Sequence, residues 1–263
     1  ALDYRGEAGI GQSYAAPEEP RNGAFPFHLA VCGDLDLIGE RKPQSYHRES
    51  LWQPGVLRLA VHVPAEIARP KIAEGWMYKW GWDEVREHWN WPGFEDKPLE
   101  VEIATSASSV QLFLNGELVA DRVISPEDKG RARVKVPYRP GVLEARAGEQ
   151  SFQLVTAGPA ARLSASIEDS GPHPGDLSFV RVEVQDDSGV RVPDASHLIR
   201  ARIEGPAVLA GFGNADPVDI DPVQDDLHRA FRGACLLVLR RTGTGEAKVR
   251  LEADGLIAWE SVV

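Results

Sequence analysis

The feature that most constrains this chain is a period-two alternation of apolar and polar side chains, in short runs closed by glycine, proline or Asn-Gly. In Phe179-Val180-Arg181-Val182-Glu183-Val184 the valines fall on every second residue with charges between them, as a half-buried strand requires. Val56 to Val63 alternates in the same way, and Pro64 closes the run. Further strands are predicted over 99–105, 110–114, 131–136, 141–147 and 151–156, then over 162–167, 178–185, 198–203, 208–212, 233–240 and 247–252. Many short strands with turns between them fold as antiparallel sandwiches. Asn115-Gly116 is a strong hairpin signal, because both central positions of its turn must tolerate positive φ. Val110, Leu112 and Leu114 are expected on one side of the first arm, with Leu118 and Ala120 continuing on the second.

The strands fall into two groups separated by Thr156-Ala157-Gly158-Pro159-Ala160, where Gly-Pro stops regular structure. The expected domains are a sandwich over 56–157 and a second over 160–263. Residues 1–55 read differently. They are mostly loop, with an apolar run at His28–Cys32 and one short helix expected over Gln44–Trp52, with Tyr46, Ser50 and Leu51 on one face and Pro54-Gly55 ending it. Within the first sandwich, residues 72–94 form an insertion with no strand pattern. The insertion holds five of the seven tryptophans: Trp76, Trp80, Trp82, Trp89 and Trp91.

Composition removes several classes of function. A net charge of −11 argues against nucleic acid as a partner, since phosphate binding needs concentrated Lys and Arg. No apolar run approaches the roughly 18 to 20 residues that cross a bilayer, so no membrane partner is expected. Cys32 and Cys235 stand far apart without a Cys-x-x-Cys pattern and read as small buried hydrophobes. The seven histidines have no i, i+4 pairing, so no metal or Ser-His-Asp constellation follows. Asp216, Asp219, Asp221, Asp225 and Asp226 form an acidic stretch without the glycine and final glutamate of an EF-hand loop. That stretch reads as a solvated loop, with calcium a minor alternative. No cofactor is expected.

Ordered motifs then run along the chain. Asp3-Tyr4-Arg5-Gly6-Glu7 resembles the last barrel strand of glycoside hydrolase family 2. Cys32-Gly33-Asp34-Leu35-Asp36-Leu37-Ile38-Gly39 with Lys42-Pro43-Gln44-Ser45-Tyr46 resembles that family's approach to the final barrel helix, and Glu49-Ser50-Leu51-Trp52 its end. His88-Trp89-Asn90-Trp91-Pro92 and Val110-Gln111-Leu112-Phe113-Leu114-Asn115-Gly116 are similar to the Ig-like domain after the barrel in bacterial β-galactosidases. Gly211-Phe212-Gly213-Asn214, Asp216-Pro217 and Ala230-Phe231 resemble the invasin-like domain that closes such chains.

The resemblance implies a mainly β fold: two antiparallel Ig-like β-sandwiches preceded by a remnant, the last strand and helix, of a (β/α)8 barrel over 1–55. It implies a parent enzyme that hydrolyses terminal β-glycosidic bonds with retention, using two carboxylates, and places both of them upstream of this sequence. The catalytic set expected here is therefore empty, and the chain's role is barrel support, pocket edge or oligomer contact. Asp3, Tyr4 and Glu7 are the candidate sugar contacts, because barrel sites lie at the C-terminal ends of strands. The five tryptophans of the insertion are candidates for sugar stacking or for domain packing. One strand and one helix cannot close a barrel. The N-terminal segment is therefore expected to pack on a sandwich, to pair with the remainder of the barrel or another copy of the chain, or to lack order. The rival readings are a free-standing carbohydrate-binding module using the tryptophans and a hydrolase with other catalytic groups. Localisation follows only from the resemblance, as periplasmic or secreted.

Overall fold

The computed structural model describes residues 2–5, 29–30, 32–68, 83–169, 171 and 173–263. The chain divides into two compact units, Ala1–Thr156 and Ala157–Val263, and both are mainly antiparallel β.

In the first unit β1 (Tyr4–Arg5) pairs antiparallel with β2 (Leu29–Ala30), and a 3-10 turn at Pro43–Ser45 leads into α1 (Tyr46–Trp52). Eight strands follow: β3 (Leu57–His62), β4 (Val85–Arg86), β5 (Pro98–Thr105), β6 (Ser109–Leu114), β7 (Glu117–Val123), β8 (Arg131–Pro137), β9 (Val142–Ala147) and β10 (Gln150–Val155). They make two sheets, in the orders β4-β3-β5-β8 and β10-β9-β6-β7. Leu57, Leu59 and Val61 of β3 and Val101 and Ile103 of β5 meet Val110, Leu112, Leu143 and Ala145 from the other sheet in one core.

The hairpin turn has the geometry its sequence demands, with φ of 53° at Asn115 and 85° at Gly116. One expectation there is corrected. The two-residue turn pairs Leu114 with Glu117 and Phe113 with Leu118, which is 53% exposed, and the register shift beyond it, between Leu112 and Phe113, sets Ala120 opposite Leu112. A β-bulge moves every later side chain to the other face, and no residue pattern in Glu117–Val123 marks it.

The opposite face of β3 carries Arg58, Ala60 and His62. There α1 docks, and Tyr46, Ala60, Val85 and Ala104 form a second small cluster. Alanines at 60 and 104 leave room for a helix above the sheet. The expected helical face is corrected in one position: Tyr46 and Ser50 are buried, but Leu51 is 49% exposed and Glu49 is buried instead. Glu49 accepts from Arg58 Nε at 3.1 Å and Nη2 at 3.3 Å, with Arg41 Nε at 3.5 Å. A carboxylate so paired can be buried at a cost its partners offset. The described part of the N-terminal segment thus packs on the first sandwich.

The insertion is also partly resolved into structure. β4 lies inside the stretch read as patternless, because two residues cannot display a period. Trp89 and Trp91 are core residues. Trp89 is fully buried, donates its indole N–H to Arg139 O at 2.9 Å and meets Tyr138 edge-on at 5.2 Å.

The second unit comprises β11 (Arg162–Asp169), β12 (Leu177–Gln185), β13 (Leu198–Glu204), β14 (Ala207–Gly213), β15 (Leu227–Arg229), β16 (Ala234–Arg241), β17 (Lys248–Glu252) and β18 (Trp259–Val262). Its sheets run β11-β12-β16-β14 and β15-β13-β17-β18. Val180, Val182 and Val184 lie in one core with Phe212, Leu237, Leu239, Ile199, Val249 and Leu251. The 186–190 turn closes on Asp186, whose carboxylate accepts the amides of Ser188 and Val190 at 2.9 Å and of Gly158 at 2.7 Å. Those bonds hold its carboxyl below the usual range even against its desolvation by burial.

Truncating Trp89 to alanine removes a filled core position and its hydrogen bond together. Trp89→Ala is expected to cost about 3–5 kcal/mol, read as a lowered urea midpoint for the first unit, whereas Leu118→Ala should change it by less than about 0.5 kcal/mol.

Candidate functional site

Of the residues expected at the pocket edge, Asp3 meets the turn between β2 and α1. Asp3 is 5% exposed. Its backbone N–H donates to Leu35 O at 2.9 Å. Its Oδ1 accepts from Gly33 N and from Lys42 Nζ, both at 2.8 Å, and Lys42 Nζ lies 2.9 Å from Oδ2. Both oxygens are therefore committed inside the protein. Burial raises the Asp3 carboxyl above its ordinary value, against the pull of Lys42. Position 33 must be glycine, since a Cβ there would lie 2.4 Å from Asp3 N and 2.5 Å from Leu2 C.

The turn is tied down further along. Asp36 Oδ1 accepts from Ile38 N at 3.0 Å and Glu40 N at 2.9 Å, Lys42 N reaches Asp34 O at 2.8 Å, and Arg48 pairs with Asp34. Burial, with the like charge of Glu40, pushes the Asp36 carboxyl from 3.8 up to about 6. Sequence reading proposed Asp3 as a contact but had no signal for its partner Lys42 or for Gly33. Both stood in quoted motifs without a role, because 30 and 39 residues separate them from Asp3.

Of the other candidates, Tyr4 is placed by its backbone in β1, opposite Ala30. Glu7, Trp76, Trp80 and Trp82 lie outside the described residues. Trp89 and Trp91 sit in the core, and the ring of Trp91 stacks on His88 at 4.6 Å. Neither indole presents an open face for a sugar. The acids of the acidic stretch have separate partners: Asp219 pairs with His228, Asp226 with Arg200, and Asp216 accepts from Val218 N. Among the described residues no group of three or more His, Cys, Asp or Glu side chains is placed to hold a metal ion, and no helix is long and apolar enough to cross a membrane.

With this geometry described, comparison with known proteins decides the family. Residues 162–260 match the model of the glycoside hydrolase family 2 C-terminal domain 5, and residues 96–151 match a domain of unknown function. Beta-galactosidase BoGH2A of Bacteroides ovatus is 29% identical over 245 residues, covering 86% of this chain and 27% of that protein. A family 2 glycosyl hydrolase structure from Bacteroides cellulosilyticus superposes with a TM-score of 0.89 at 31% identity, over all of this chain and 35% of the other. The chain is a C-terminal portion of a glycoside hydrolase family 2 protein. A family 2 beta-glucuronidase shares the fold, with a TM-score of 0.69 at 17% identity over 89% of this chain and 23% of its own. The chain thus spans about a quarter to a third of the relatives it matches, and those relatives are larger, multi-domain proteins.

Asp36 makes this portion of a family 2 protein sensitive to pH. Its folded pKa lies above the ordinary value, so the folded state binds the extra proton. The resulting stability is full below pH 3.8 and is lost as pH rises through about 6. Asp36→Asn keeps the acceptor for the two amides and removes the charge. Subtracting the variant's pH–stability profile from that of the unaltered chain should give a falling slope between those values; a flat difference would mean that Asp36 does not titrate there.

Proposed function

We propose that this chain is the non-catalytic C-terminal support of a retaining, β-galactosidase-like hydrolase of terminal β-glycosidic bonds. It braces the last turn of the catalytic barrel on the first sandwich and supplies no catalytic carboxylate. The observation that carries the reading is how the buried acids are used. Asp3 is held by Lys42, Glu49 by Arg58 and Arg41, Glu84 by Arg86, and Asp186 by backbone amides. A retaining glycosidase needs two carboxylates about 5–5.5 Å apart with oxygens turned to the sugar. The acids here are turned to cations and amides that hold turns and a helix in place.

Within this reading Asp3 is a positioning residue. It fixes the 33–42 turn from beneath, and a sugar would meet what the turn presents. Tyr4 and Glu7 stay the candidate contacts at the pocket edge. The exposed end of α1 supports the bracing role, because Trp52 is 73% exposed beside Leu51. Apolar side chains of that size on a helix end suit a contact with the remainder of the barrel.

Two measurements test the proposal. The purified chain is expected to show no turnover of chromogenic β-galactosides or β-glucuronides above a denatured control; steady hydrolysis abolished by Asp3→Asn or Glu7→Gln would sink it. Trp52→Ser should leave the chain's own stability within about 0.5 kcal/mol, since nothing described here depends on that indole. A loss above about 2 kcal/mol would instead make Trp52 part of this fold.

A further inference from the structure

The second unit holds a cavity that the bracing role does not use. It has a volume of about 290 Å³, and Asn214, Asp216, Asp221, Arg229, Phe231 and Arg232 are among its lining. We propose that it binds a neutral saccharide, one sugar ring in size. This goes beyond the bracing role and stands or falls separately from it, since the cavity lies wholly within the second unit.

Hydrogen bonds tie the walls together. Asn214 is 5% exposed and donates through Nδ2 to Arg229 O at 2.9 Å, while its Oδ1 accepts from Asp216 N at 2.8 Å. Asp219, also in the lining, is pinned from behind at 2.8 Å by the fully buried His228. An ionised carboxylate can only accept, so His228 Nε2 carries the proton of that bond. Arg229 Nη1 spans to Ser196 O at 2.7 Å and closes another wall. Asn214 and Asp219 are thus held from one strand, β15, and from the loop at Asp216, and a site tied in this way needs less reorganisation to receive a ligand.

The chemistry then selects the ligand. Carboxylates at 194, 216, 219 and 221 lie in the same lining as guanidinium groups at 229 and 232. An anion would meet the acids and a cation the arginines. The absence of a metal-holding group of acids among the described residues argues further against a divalent cation. A molecule dense in hydroxyls satisfies both sets, donating to carboxylates and accepting from guanidinium N–H groups. The half-buried Phe231 adds an apolar surface for the C–H face of a pyranose.

Arg232 stands beside the Phe231 ring. Its backbone is left-handed, with φ of 53°, where glycine or asparagine would sit without strain. An arginine stands there all the same, with its guanidinium carbon 4.7 Å from the centre of the Phe231 ring. The two-residue turn Arg232-Gly233, between the paired Phe231 and Ala234, requires that conformation. The volume stands at the lower edge of the roughly 300–1,000 Å³ typical of small-molecule sites, which suits a single ring at millimolar affinity rather than a long chain.

The test is a titration of the isotopically labelled full chain, followed by NMR, with galactose, xylose, lactose and cellobiose, and in separate arms with glucuronate and calcium chloride. Neutral sugars are expected to shift the amides of Ser196, Asn214, Asp216, Arg229 and Phe231 with dissociation constants in the millimolar range. Arg232→Gly, which the backbone conformation accepts, and Asp221→Ala, at an exposed side chain, should each weaken binding at least about tenfold with the rest of the spectrum intact. No shift at these amides with any neutral sugar, shifts with calcium or glucuronate alone, or sugar binding unchanged in both variants would each overturn the proposal.

Discussion

Strand β3 is buried on both of its faces, and the first unit is organised by that constraint. Leu57, Leu59 and Val61 face the core shared with the second sheet, while Ala60 lies beneath α1 and Arg58 reaches Glu49. An antiparallel sheet commonly keeps one face in water. Here the wet face of β3 is replaced by a helix, and the substitution needs small residues at 60 and 104 and a charge pair at its edge. Arg58 also lies within 5.7 Å of the Tyr46 ring and 5.3 Å of Phe152, so one guanidinium joins helix, strand and the opposite sheet. Removing Glu49 would leave that cation among aromatic rings without its carboxylate, which is costlier than never having placed the pair there.

This double burial explains which parts of the fold could be read from the sequence. Val180, Val182 and Val184 alternate with charges because one face of β12 is half open, and that strand was legible to within a residue. Val56–Val63 alternates too, but its polar positions are Arg58, Ala60 and His62, a mixture that hides a second buried layer. The short strands β4 and β15 have too few residues to show a period, and they became strands only because β3 and β13 offered open edges. The bulge between Leu112 and Phe113, which sets Ala120 opposite Leu112, is signalled by no single residue.

The candidate site was legible in part for a different reason. Asp3 could be singled out by motif, yet its role depends on Gly33 and Lys42, brought to it by the turn's path through space. A glycine chosen because a Cβ would strike Asp3 N looks in sequence like any loop glycine. Two of the tryptophans show the opposite difficulty. Five in 23 residues read as a surface for ligands or domains, whereas Trp89 and Trp91 fill the sandwich core. Indoles bury large areas whatever their setting, so abundance alone carries no direction.

The way charge is distributed separates support from chemistry in this portion of a family 2 protein. A group that works on a substrate must keep an unsatisfied oxygen or proton turned outward, which costs folding stability. A group that supports can spend every lone pair inside, and Glu49, Asp186 and Asp3 do so against cations and amides. Asp36 is the intermediate case: its two amide bonds favour the charged form, but burial and Glu40 outweigh them. Its Oδ1 shapes the turn through both of those bonds. A perturbed acid at a rim is thus not by itself a catalyst. What decides is where its lone pairs point, and the two amide bonds of Asp36 Oδ1 return to the chain within four residues.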